Sequence, residues 1–117
     1  MTMAYDEFLA DRIRQALKVK NVAFEEKPMM GGLTFMVDDK MCVGVVRDSL
    51  MARIDPDVYE DALKRKGARE MDFTKRPMKG FVFVGPEGTD LDRDLESWIQ
   101  LSIDYNPKAR SSKSKQK

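Results

Sequence analysis

Between Met29 and Ile54 the chain reads MMGGLTFMVDDKMCVGVVRDSLMARI, and this stretch restricts the fold more tightly than any other. Two apolar runs of strand length, GLTFMV and MCVGVV, are separated only by Asp38, Asp39 and Lys40, the signature of an antiparallel hairpin. A tight two-residue turn favours residues that accept positive φ at its centre. Asp39 and Lys40 fall at the tip, and because lysine suits that region poorly, the expected loop is longer than two residues. Met78 to Val84 (MKGFVFV) supplies a further strand to pair with this ribbon.

The flanking segments read as helices and shorter strands. Tyr5, Phe8, Leu9, Ile13, Ala16 and Leu17 recur at helical spacing with charges between them, giving an amphipathic first helix that ends at Asn21. Val22 to Met30 follows as a strand, which Pro28 either places at a sheet edge or interrupts with a bulge. After the hairpin, Asp48 and Ser49 cap a short helical turn through Leu50 and Met51. Asp55-Pro56 starts a second helix, with Val58, Tyr59, Ala62 and Leu63 on its buried face and Gly67 at its end. Glu70 to Phe73 is a fourth strand and Met78 to Val84 the fifth. Thr89 caps a last helix through a Thr89/Asp92 pair. Its apolar stripe, Leu91, Leu95, Trp98, Ile99 and Ser102, is widened by Leu101, Ile103 and Tyr105. A stripe this wide calls for burial on two sides, against the sheet and against another helix or subunit. The order helix, three strands, helix, two strands, helix, with short connections, predicts a two-layer α+β sandwich with an antiparallel sheet and helices gathered on one face.

At 117 residues the chain is of single-domain size. Of its 21 lysines and arginines, five lie in PKARSSKSKQK at the end, where there is no acid. Residues 1–106 therefore carry 16 basic against 20 acidic side chains and form the folded domain, and residues 107–117 are expected to be a disordered basic tail. A single cysteine, Cys42, inside a strand run, permits no internal disulfide and fits a reducing compartment. The acids near the start and the lack of a long apolar run argue against a signal peptide or a membrane span, so the expected location is cytoplasmic.

The chain is poorly equipped for chemistry. It contains no histidine, which removes the commonest general base and metal ligand, and with one cysteine a zinc site has too few ligands. The acids Asp90, Asp92, Asp94 and Glu96 are interrupted by Leu91 and Leu95 at helical spacing and lack the central glycine of a calcium loop. Gly31-Gly32 lacks the helix and lysine that would make it a phosphate loop. No catalytic residue, metal or cofactor is expected. An enzyme would need Lys79 or a carboxylate with a shifted pKa in a pocket. The charge feature that stands out is basic: Lys64, Arg65, Lys66, Arg69, Lys75, Arg76 and Lys79 against Glu70 and Asp72. If the end of the second helix lies near the turn before the last strand, these residues form an edge for an acidic partner protein or a nucleic-acid backbone.

The blocks KPMMGGLTFMVDDKMCVGVVRDSLMARI and EMDFTKRPMKGFVFV resemble the N-terminal domain of the TfoX (Sxy) competence-regulator family. Gly31-Gly32, Phe35, Lys40-Met41, Gly44, Met71 and Arg76-Pro77-Met78-Lys79-Gly80 carry the likeness, which spans residues 5 to 105. Asp39 stands where the family usually has glycine. The resemblance implies a fold like that of the secretion chaperones, with the same order of elements. It also implies a single-domain member. Competence-regulating members add a C-terminal helical domain and act with a cyclic-AMP-responsive activator on promoters, and what depends on that second domain is not carried over. The expected function is a non-enzymatic protein-interaction module, with itself as a homodimer among its candidate partners. A nucleic-acid-binding accessory factor is the alternative, opposed by the net acidity of the body.

Overall fold

The computed structural model describes residues 5–29, 31–70 and 80–109. Helix α1 (Glu7–Val19) starts where the Asp6 carboxylate accepts from the Phe8 and Leu9 amides at 2.9 and 3.1 Å, satisfying two donors that a helix start leaves unpaired. It stops at Asn21, whose φ of +58° turns the chain into the sheet. Four strands follow, β1 (Glu25–Met29), β2 (Gly32–Val37), β3 (Lys40–Val46) and β4 (Ser49–Arg53). A 3-10 turn at Pro56–Val58 leads into the short α2 (Tyr59–Ala62), then come β5 (Ala68–Glu70), β6 (Phe81–Val84) and α3 (Asp92–Tyr105). All strand pairs are antiparallel, in the order β1-β2-β3-β4-β6-β5. The predicted two-layer α+β sandwich stands, and Pro28 lies on an edge strand.

The structure corrects the sequence reading at several points. The hairpin tip is a two-residue turn, with Asp38 and Asp39 at φ +55° and +64° and Lys40 already paired with Val37. Two aspartates tolerate the left-handed region because their short side chains bond locally. The expected helical turn at Asp48-Ser49 is a second hairpin, with β4 paired to β3 from Val46↔Ser49 to Val43↔Ala52, so four strands precede α2 rather than three. Strand β5 covers Ala68–Glu70; the remainder of the predicted fourth strand and the first residues of the fifth lie outside the described residues. Thr89 does not cap α3. Leu91 occupies the cap position without a side-chain bond, and Thr89 is buried.

Alternation along β4 assigns the two faces of the sheet. Leu50, Ala52 and Ile54 join Val43, Val45, Val82 and Val84 against Leu9, Ile13, Leu17, Leu95, Trp98 and Ile99 of the helices. Met51 and Phe83 point the other way and cluster with Met41, Val46 and Phe81. Gly44 makes this second packing possible, since a Cβ there would lie 2.8 Å from Met51 Cε and 2.9 Å from the Leu33 carbonyl. Opposite Phe35 and Met36, strand β3 carries one residue too many for a regular register, and the extra residue, Cys42, is directed into the helical core.

The folded chain runs on to Ala109. A 3-10 turn spans Asn106–Lys108, Ala109 is buried, and Asn106 Nδ2 donates to the Val37 carbonyl while Lys40 Nζ donates to that of Asn106. Of the expected tail, Pro107 to Ala109 are among the described residues, and residues 110–117 lie outside them. No helix among the described residues is long and apolar enough to cross a membrane.

Candidate interaction surface

The helical layer is built from α1 and α3 lying side by side and pointing the same way. Arg12 Nη2 donates to the carbonyls of Thr89 (2.8 Å) and Asp90 (3.3 Å) and to Asp92 Oδ1 (3.0 Å), fastening the first helix to the start of the last. Two turns further along both helices, Lys20 Nζ donates to Gln100 Oε1 at 2.7 Å, and Gln100 Nε2 donates to Asp104 at 2.8 Å. Both polar ties hold residues 80 positions apart. Between them runs an open groove of roughly 230 Å³, with Ala16 and Leu95 at its floor and Asp11, Val19 and Glu96 among its walls.

The large apolar residues that the described chain leaves in solvent lie on or beside the helices. Among the described residues the exposed large hydrophobics are Phe8 (74%), Val19 (80%), Leu91 (54%) and Val58 (38%). Phe8 and Leu91 were expected on buried stripes, and Val58 on the buried face of the second helix. Helical geometry explains Phe8: at about 100° per residue it sits about 100° from Leu9, on an arc shared with Arg12, Gln15 and Val19 rather than with Ile13 and Leu17. That offset was readable in the sequence. Leu91 precedes the first turn of α3 and so falls off the stripe that starts with Leu95.

The centre of the α3 stripe is buried within the chain, while Leu101, Ile103 and Tyr105, which widen it, are half-buried. Trp98 is 1% exposed, α1 flanks α3 on one side, and on another Arg65 stacks its guanidinium 4.0 Å from the Trp98 ring centroid and donates to Ser97 Oγ at 3.1 Å.

The basic residues singled out in the sequence are divided by the sheet. Lys64 pairs with Asp61 at 3.8 Å, both well exposed. Arg65 is held on Trp98, and Lys66 lines a small hollow beside it with Asp94 and Gly88. Arg69 lies on the opposite face, over the Phe83 ring at 5.2 Å and 3.4 Å from Ser49 Oγ. Lys75, Arg76 and Lys79 lie outside the described residues. Lys64, Arg65 and Lys66 are therefore neighbours, and Arg69 is not one of them. Sequence reasoning missed Arg53, which stacks over Phe81 at 5.4 Å on the face that carries Arg69. The alternation Ser49, Met51, Arg53 was the signal.

Titration adds little chemistry. Burial pushes the Cys42 thiol up to about 12, leaving it protonated and inert at neutral pH. Burial likewise raises the Tyr59 phenol, whose hydroxyl has no hydrogen-bond partner among the described residues. No three His, Cys, Asp or Glu side chains among the described residues are grouped to hold a metal ion.

Residues 16–105 match the description of the TfoX N-terminal domain, so the match begins inside α1 and ends with α3. No curated protein matches the chain.

Proposed function

Because the chain belongs to the TfoX N-terminal domain family, we propose that it is a non-enzymatic interaction module with a regulatory role, binding another protein through its helical layer. The observation that carries this reading is Val19, 80% exposed on the wall of the α1–α3 groove, with Phe8 exposed on the same arc of α1 and Leu91 exposed just ahead of α3. Exposed apolar side chains along one helix face cost solubility and mark a surface that a partner covers. The inert thiol of Cys42 and the lack of histidine fit a molecule whose work is recognition.

The alternative, a nucleic-acid accessory factor, draws on the neighbouring cations Lys64, Arg65 and Lys66. It has less support, because Arg65 is engaged with Trp98 and Ser97 and Arg69 faces away.

Photo-crosslinking from position 8 or 19 of the full chain in native extract tests the reading. A saturable adduct with a discrete protein is expected. Adducts only with nucleic acid, or duplex DNA binding that falls steeply with salt while no protein is captured, would favour the alternative.

A further inference from the structure

The helical groove also indicates the chemistry of what fills it, an inference that rests on the interaction reading above. Phe8 and Val19 stand eleven residues apart on one arc of α1, about 16 Å along the axis at 1.5 Å per residue. Leu91 belongs beside the Phe8 end, since Arg12, one turn along from Phe8, reaches the chain around it. Exposed apolar posts over three helical turns, with a floor of Ala16 and Leu95 between two parallel helices, match the spacing at which a third helix presents residues i, i+4, i+7 and i+11.

The charge at the groove selects among helices. Its lining carries Asp11, Asp92 and Glu96 against one guanidinium; Arg12 and Asp92 are paired with each other, which leaves Asp11 and Glu96 as the surplus negative charge. Arg14 lies 3.6 Å from Asp11 but is drawn more closely to Glu26, at 2.6 Å. A second copy placed groove to groove about a two-fold axis would set these carboxylates against their own counterparts. We infer that the α1–α3 groove docks an amphipathic helix of another protein whose apolar stripe is flanked by lysines or arginines.

The test uses the full chain and a designed 16-residue helical peptide (about four turns) with leucines at i, i+4, i+7 and i+11 and lysines beside them. An isomer with glutamates in place of the lysines is the control. Anisotropy should show the lysine peptide binding at least tenfold more tightly than the glutamate one, with amide shifts concentrated at Phe8, Val19, Leu91 and Glu96. Val19→Asp, at an 80% exposed site, and Glu96→Lys should each weaken binding about tenfold without altering the melting temperature. Equal binding of the two peptides, shifts centred elsewhere, or no binding at millimolar peptide would overturn the inference. So would self-association of the chain that Val19→Asp abolishes. If the natural crosslinked partner is still captured by Glu96→Lys and Val19→Asp together, the groove is not its seat but the interaction reading survives; if no partner is captured by either form while the lysine peptide binds, the groove chemistry stands without it.

Discussion

On one face of the sheet Leu50, Ala52 and Ile54 meet three helices; on the other, the same strand turns out Ser49, Met51 and Arg53. The helical face is filled by layering, with Trp98, Ile99, Leu17 and Ile13 fully covered between sheet and helices. Among the described residues the opposite face is filled from within the sheet. Met51 bends over Gly44 and meets Phe83, Phe81, Met41 and Val46, while Arg53 and Arg69 lie across the phenylalanine rings. Among the described residues, one sheet face packs a glycine floor against long flexible side chains, whereas the helical layer buries its sheet side and leaves its outer groove open.

If the helical face carries most of the stability, its largest residue should show it. Trp98→Ala should cost ~3–5 kcal/mol by chemical denaturation, since it opens a cavity and strips Arg65 of its stacking surface. A loss below ~1 kcal/mol would make the two faces equivalent. Gly44→Ala probes the other face. Its Cβ meets both the Met51 thioether and a carbonyl of the neighbouring strand, so a loss of ~1–3 kcal/mol is expected. In a double-mutant cycle the cost of Gly44→Ala should be smaller on a Met51→Ala background than in the parent but not zero, because the Leu33 carbonyl remains; a cost of zero there would mean the thioether is the sole obstacle.

The dryness of the helical face can be read from Cys42. Its raised pKa means that the folded state holds the thiol proton more tightly than the unfolded chain does. This contribution is whole below about pH 8.5 and declines as pH rises toward about 12, by roughly 1.4 kcal/mol per pH unit. Urea melts between about pH 9 and 11 should therefore fall more steeply for the parent than for Cys42→Ala. Matching slopes would place water at that thiol. The smallest effect concerns the turn that decides which side of β4 goes where. Arg47 sits at φ +57° with its side chain in solvent, and Arg47→Gly should stabilise the fold by ~0.5–1 kcal/mol, the Asp6 amide still bonding the carbonyl at 47. A lower urea midpoint would show that the arginine side chain has a structural role.

The same turn explains where sequence reading failed. The first hairpin was legible because two acids separate two apolar runs, although its length was overestimated by assigning Lys40 to the tip. The second was not, because Arg47 occupies a conformation that usually announces itself with glycine or asparagine, while Asp48-Ser49 imitates a helix cap. Met51 compounded the error: an apolar residue on the non-helical face turns the alternating SLMAR into an unbroken apolar run. Helix α1 was readable from its period, and the exposure of Phe8 followed from that period had its angle been counted. The division of Lys64, Arg65 and Lys66 from Arg69 was beyond reach, since it depends on the direction in which β5 joins the sheet.

Arg12 holds residues 77 to 80 positions further on, so the groove has one wall from each end of the described chain. Contacts that distant in sequence carry a large loop-closure cost and slow folding. All six strands precede α3 in the chain, so the sheet can pair before the groove has its second wall. A chain clipped between β6 and α3 would keep the sheet and lose one wall of the groove.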